Sequence, residues 1–385
     1  MRFVRSERFT AFFLIIAATL GVILANSPVA GAVSSFRDFH FGLPVLGLDL
    51  SVAHWVTDGL LAVFFFLAAI ELKHELRHGE LDSVKRALVP AVAAVGGVIA
   101  PALIFLLLVR APGLRDGWPI PTATDIAFAL GILAIVGRSL PARVRALLLA
   151  LAVIDDLIAI VIIAIFFTRD LQIVPLLVAI PVIAAFGILS RLRRTAVLVA
   201  ILVVLGIAAW VLVHASGIHA TVAGVALGLV MHGPIAERAR HTLEPVSNVI
   251  ILPVFAFVAA LVTLPSVGLG ELSPVFWAIL VALPVGKLLG ITIGATVAAI
   301  ASRQIPADRI PLGDIVAVAS LGGIGFTVSL LMNDLAYANL PLASTEGTLA
   351  VLTASLIAAV IGIALVATRS RHYRRRALGS PPISP

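Results

Sequence analysis

Four ionisable side chains stand inside stretches that otherwise carry no charge: Asp125, the adjacent pair Asp155-Asp156, and Lys287. An aspartate at the centre of an apolar helix costs about 2.5–3.5 kcal/mol to place in a bilayer. The stretch 146–167 holds fifteen Leu, Ile, Val or Phe residues around its two aspartates. At about 0.3–0.6 kcal/mol each, those residues return roughly 5–9 kcal/mol against about 5–7 for the pair, which is close to break-even. Lys287 can neutralise one carboxylate, for instance Asp155, as a structural ion pair. It cannot serve both, because neighbouring helix positions point about 100° apart. An excess of acid over base in hydrocarbon requires a bound cation, a proton or access to water, and each of these is a transport feature.

The elements that carry these residues are membrane spans. Of the 385 residues 61% are apolar and only 12% are charged, too few charges to clothe a soluble surface, where about 25% is usual. Runs long enough to cross a bilayer fall near 9–27, 52–72, 87–109, 119–137, 146–167, 172–190, 195–213, 215–231, 245–265, 273–300, 314–332 and 347–368. The sequence thus predicts an all-α polytopic membrane protein of twelve transmembrane helices, a single transporter domain with a basic tail from 369 to 385. The first run reads as a retained helix rather than a cleaved signal. The longest gap, 28–51, includes a stretch, 41–50, that alternates with turn residues and suits a small hairpin. Twelve spans put both termini on one side. That side receives 22 of the 27 lysines and arginines, against Arg37, Arg110, Arg115 and Arg169 on the other, so both termini are expected in the cytoplasm. The same distribution explains the net charge of +7 as topology and removes the main argument for nucleic acid. The arginines from Arg369 onward read as a stop-transfer flank rather than a lipid sensor. Cysteine is absent, which excludes disulfides, thiolate metal sites and cysteine catalysis.

Two spans carry sequence that a continuous helix would avoid. Pro119-Ile-Pro-Thr-Ala-Thr-Asp125 opens the fourth with two prolines and residues that prefer caps and turns. Ser320-Leu-Gly-Gly-Ile-Gly-Phe-Thr327 places three glycines within four residues of the eleventh. Span four enters from outside and span eleven from inside. Oppositely running broken segments are what an inverted-topology repeat gives, here spans 3–5 against spans 10–12, with the helix dipole ends meeting at mid-membrane.

Thr122-Ala-Thr-Asp-Ile-Ala-Phe-Ala-Leu-Gly131, Val153-Ile-Asp-Asp-Leu157, Gly286-Lys-Leu-Leu-Gly290, Gly217-Ile-His-Ala-Thr-Val-Ala-Gly224, Leu252-Pro-Val-Phe-Ala-Phe257 and Gly322-Gly-Ile-Gly-Phe-Thr327 resemble, in order, the signatures of the NhaA family of sodium/proton antiporters. Trp55 through Glu75 is similar to that family's second helix. The resemblance runs from the first span to the last. It implies exchange of cytoplasmic sodium or lithium for external protons across the inner membrane, electrogenic and regulated by pH, with no cofactor. It also implies that Asp155 and Asp156 bind the ion and that Asp155 pairs with Lys287. Thr124, Asp125 and Lys287 then balance the ends of crossed half-helices, with Asp125 at positive ends and Lys287 at negative ones. Sodium suits carboxylate oxygens, and two neighbouring carboxylates in low dielectric cannot both stay charged without a cation. Protons and sodium therefore compete for the same oxygens.

Glu71, Lys73, His74 and Glu75, with Arg240, His241 and Glu244, look like the region with which the family senses cytoplasmic pH. The match is weakest there: His74 stands where the family pattern has arginine, Arg240 where it has an acid, and Glu244 where it has histidine. Asp58 and His219 read as members of a polar network rather than as ion ligands. A homodimer through the 41–50 hairpin rests on the resemblance alone. Two other functions remain to be weighed. A sodium-coupled symporter of an organic solute needs a roomy polar cavity that no sequence feature demands. An intramembrane aspartyl protease needs aspartates on two facing helices, whereas Asp155 and Asp156 share one helix, so an enzyme is not expected.

Overall fold

The computed structural model describes residues 7–44, 48–79, 84–168, 170–193, 195–264, 268–302 and 310–379. Arg2, Arg5, Arg169, Arg194, Arg303 and Arg309, counted above for topology, lie outside them, as do residues 45–47 of the expected hairpin.

In chain order the helices are α1 (Glu7–Ala25), α2 (Ala30–Arg37), α3 (Val52–His54), α4 (Leu61–His78), α5 (Val84–Leu108), α6 (Ile126–Val136) and α7 (Ala142–Phe166). They continue with α8 (Ile173–Leu189), α9 (Ala196–Ala215), α10 (Thr221–Val230), α11 (Gly233–Val246) and α12 (Leu252–Ala259). The last five are α13 (Pro274–Val281), α14 (Lys287–Ala301), α15 (Leu312–Gly322), α16 (Phe326–Ala336) and α17 (Pro341–Gly379). Three π-helical turns, at Trp55–Leu60, Ser247–Ile251 and Ala282–Gly286, join α3 to α4, α11 to α12 and α13 to α14. The exceptions to helix are short. Strands β1 (His40–Leu43) and β2 (Leu48–Ser51) pair antiparallel, with Phe41 opposite Leu50.

Among the described residues eight helical stretches are long and apolar enough to cross a membrane, or ten if each of two bent pairs counts as one. The pairs are Phe9–Ala25 with Ala30–Arg37, bent by 116°, and Leu312–Gly322 with Phe326–Ala336, bent by 46°. Two further apolar helices, α8 and α10, are shorter. The chain is therefore an all-α polytopic membrane protein. Two features add to the sequence reading. Part of the gap at 28–51 is the helix α2, which is too short and too polar to register as a span. The basic tail expected from residue 369 is helix as far as Gly379, because arginine is a good helix former and no glycine or proline interrupts 348–377 except Gly362.

The chain divides into two compact units. Among the described residues, one comprises Phe12–Gly79 and Asp156–Leu264. Its core joins Ile70 of α4, Phe186 of α8, Leu198 and Leu202 of α9 and Leu227 of α10. Small residues set its closest helix contact: Gly224 and Gly228 of α10 lie against the carbonyls of Ala62 and Phe66 on α4, so a Cβ at either glycine would strike backbone. The other unit comprises the described residues within 7–11, 84–155 and 268–379. There α14 lies along α5 in the same manner. Gly96 and Gly290 each face the other's carbonyl, and Gly294 faces that of Val92. Lipid tails supply no hydrophobic drive between helices, so close backbone approach and van der Waals contact hold such pairs together.

Candidate functional site

The second unit interrupts its helices at the segments around Asp125 and Gly323 as well as in its loops. Proline cannot donate a backbone hydrogen bond, and after Pro119 and Pro121 the chain makes one 3₁₀ turn, Ile120–Thr122, before Ala123 and Asp125 become extended. Asp125 then caps α6, its Oδ1 accepting the Phe128 N–H at 2.9 Å. Its Oδ2 accepts the Thr327 N–H at 3.2 Å and the Thr327 hydroxyl at 2.7 Å. One buried carboxylate thus sits at the N-termini of both α6 and α16, the positive ends of their dipoles. The backbone groups freed by the two breaks satisfy one another: Asp125 N–H donates to the Ile324 carbonyl at 2.6 Å, and the Thr124 hydroxyl donates to the Gly322 carbonyl at 2.8 Å. Ser329 Oγ donates to the Ile120 carbonyl at 2.7 Å. Non-helical backbone away from water needs such partners.

Lys287 is wholly buried and donates to Asp155 Oδ2 at 2.6 Å. It stands at the start of α14, directly after the π turn Ala282–Gly286. The Asp155 side chain is 1% exposed, and its Oδ1 has no hydrogen-bond partner among the described residues. Asp156 follows on α7 and is also buried. A carboxylate and an ammonium withdrawn from water together are held by their mutual geometry, so any step that protonates Asp155 must also release Lys287.

In the first unit, Arg240 on α11 makes an ion pair with Glu71 on α4 and donates to Glu237 at 2.9 Å. His241 Nε2 lies 3.1 Å from the same Glu237 oxygen. Lys73 donates to the carbonyls of Leu229 and Met231 at 2.7 and 2.6 Å, so its charge sits at the C-terminal, negative end of α10. Glu75 is buried, His74 exposed and Glu244 half-buried. Asp58 lies 3.3 Å from His219 Nε2 and 3.6 Å from His214 Nδ1, and accepts the Thr57 hydroxyl at 3.1 Å. The Trp210 indole N–H donates to the Asp58 carbonyl at 2.8 Å. Asp58 and His219 are a polar network.

Several partners were not singled out by sequence. Thr327 lay within a quoted motif without a role, though a threonine at a helix start is a capping signal. Glu237 precedes Arg240 and His241 by three and four residues, the spacing of helix-face ion pairs. Nothing in the sequence indicated His214, whose tie to Asp58 is tertiary.

Comparison with known proteins assigns the family. The family model described as Na+/H+ antiporter 1 matches residues 1–366. The chain is 53% identical to Na(+)/H(+) antiporter NhaA 2 of Clavibacter michiganensis subsp. michiganensis, over 97% of this chain and 93% of that protein. It is 45% identical to Na(+)/H(+) antiporter NhaA of Tropheryma whipplei (strain Twist), over 99% and 98%. It is also 45% identical to Na(+)/H(+) antiporter NhaA of Thermobifida fusca (strain YX), over 96% and 94%. With a family match across nearly its whole length and relatives this close, the chain belongs to the Na+/H+ antiporter 1 family.

Proposed function

We propose that the chain exchanges sodium for protons at Asp155 and Asp156. The observation that carries this reading is the fully buried ion pair of Lys287 with Asp155, 2.6 Å long, in a chain of the Na+/H+ antiporter 1 family. Asp156 is the principal sodium ligand, and Asp155 exchanges its lysine partner for a proton as the ion arrives or leaves. Two protons then travel against one sodium or lithium, and exchange is electrogenic. Thr124, Asp125 and Lys287 balance the ends of two interrupted spans, the fourth and the eleventh, within a fold of twelve spans that includes an inverted repeat. The support for this part is the cross-linked pair of breaks at Asp125 and Gly322–Phe326. The excess of arginine and lysine on one side argues for both termini in the cytoplasm and for an inner-membrane location. The Glu71–Arg240–Glu237–His241 group, with Lys73, His74, Glu75 and Glu244 near it in sequence, regulates exchange by cytoplasmic pH; the support is the network of charges that joins α4 to α11. The β1–β2 hairpin is the surface for a homodimer.

Proteoliposomes containing the wild-type chain should acidify or alkalinise their lumen when a sodium gradient is imposed, and the Asp156→Asn variant should not. Full exchange by that variant would remove Asp156 from the site. Uptake of an organic solute with sodium, absent proton movement, would favour a symporter instead.

A further inference from the structure

The last helix is longer than a membrane requires. α17 has 39 residues, about 58 Å at 1.5 Å per residue, roughly twice the hydrocarbon core. Its apolar run ends at Thr368, and the helix continues through Arg369, Arg371, Arg374, Arg375 and Arg376.

One side of this extension is pinned. Arg369 Nε donates to Asp314 Oδ1 at 2.7 Å, and the Tyr373 hydroxyl donates to Asp314 Oδ2 at 2.6 Å. The Arg369 guanidinium lies 5.5 Å from the centre of the Tyr373 ring. Asp314 is fully buried in the first turn of α15. Gly313 beside it leaves room for the guanidinium, which a Cβ there would meet at 3.2 Å.

The opposite side carries exposed arginines. At 100° per residue, Arg371, Arg374 and Arg375 fall within an arc of about 100°, roughly opposite Arg369 and Tyr373. All three are exposed. Followed back along the helix, the same side presents Leu356, Val360 and Ile363, which are 65, 60 and 41% exposed. In a spanning helix an exposed apolar stripe is the face turned to lipid. The arginines continue that stripe past its apolar end. Arg371 lies about 4.5 Å and Arg375 about 10 Å beyond Thr368 along the axis. The headgroup layer on each side of a bilayer is about 5–8 Å deep, and an arginine side chain can reach back toward it.

In place of the stop-transfer reading of this tail, we propose that Arg371, Arg374 and Arg375 form a binding surface for anionic lipid headgroups, held toward the lipid by the Asp314–Arg369–Tyr373 pin on the far side of the helix. Guanidinium groups bind phosphate oxygens in pairs of hydrogen bonds, and the leaflet beneath them supplies phosphodiesters at high local density. Because the pin ties the surface to α15, lipid bound there also bears on the helix whose other end accepts Thr124.

The test uses the full chain in neutral detergent, titrated with phosphatidylglycerol or phosphatidylcholine, with bound lipid counted by native mass spectrometry. The R371Q/R374Q/R375Q variant should bind phosphatidylglycerol on the order of 100-fold more weakly at low salt, about fivefold per arginine, with phosphatidylcholine unaffected. R371K/R374K/R375K, which keeps the charge, should retain most of the binding. D314N should weaken it by less than the triple glutamine variant. Exchange in phosphatidylcholine liposomes, unchanged in the triple variant, checks its folding. Equal phosphatidylglycerol binding by wild type and triple variant would overturn the proposal. So would displacement of the lipid by inorganic phosphate at the same concentration, or a changed oligomeric state with lipid binding intact.

Discussion

A carboxylate that caps two helices is harder to replace than one that caps a single helix. Asp125 accepts from Phe128 at the start of α6 and from Thr327 at the start of α16. Losing one cap costs about 0.5–2 kcal/mol, so Asp125→Ala should lose about 1–4 kcal/mol, and Asp125→Asn, which keeps an acceptor, should lose less. Thermal unfolding of the purified variants in one detergent checks the order. Lys287 and Asp155 make a second residue-scale prediction. Removing one partner of a buried ion pair leaves an uncompensated charge and costs about 3–5 kcal/mol, whereas replacing both together costs far less. Lys287→Met should therefore destabilise the chain more than the Lys287→Met/Asp155→Asn double variant, even though both abolish sodium-driven exchange. Equal destabilisation would mean that the pair contributes nothing beyond two separate side chains.

Elements explain why these side chains meet. α14 brings Lys287 into the second unit on a helix packed against α5 through Gly96, Gly290 and Gly294. A Cβ at Gly290 would overlap the Gly96 carbonyl, and overpacking of this kind costs about 1–3 kcal/mol. Gly290→Ala should lower thermal stability by about that amount, and Gly290→Leu should also slow exchange by moving α14; unchanged stability in both would show that the helices part freely. Much of this was legible in sequence. The prolines at 119 and 121 and the glycines at 322, 323 and 325 announced where helix would fail, since each either lacks a donor or carries a high entropic cost in a helix. The four charges inside apolar stretches stood out by what they would cost in hydrocarbon. What sequence did not carry was the pairing across the breaks. Thr124 to Gly322, Asp125 to Thr327 and Asp125 to Ile324 join residues about two hundred positions apart, and only tertiary structure brings them together. The π turns and the helix α2 were likewise invisible. A π turn has no compositional signature, and α2 is eight residues of mixed polarity. The continuation of α17 beyond its apolar run was not read from sequence because a run of arginines reads first as topology.

At the scale of the whole molecule, the absence of cysteine makes orientation directly measurable. A Ser139→Cys variant should react with an impermeant maleimide only from the cytoplasmic side, and an Arg110→Cys variant only from outside; the reverse pattern would invert the proposed topology. Both positions are exposed. The central claim is that sodium and protons compete for Asp155 and Asp156. The measurement that tests it most directly is equilibrium sodium binding to the purified chain as a function of pH. If each sodium displaces two protons, affinity should weaken about a hundredfold for each unit the pH falls, through the range in which both protons are bound. In the Asp156→Asn variant that dependence should vanish along with most of the binding. Sodium affinity that does not change with pH in the wild-type chain would contradict the account.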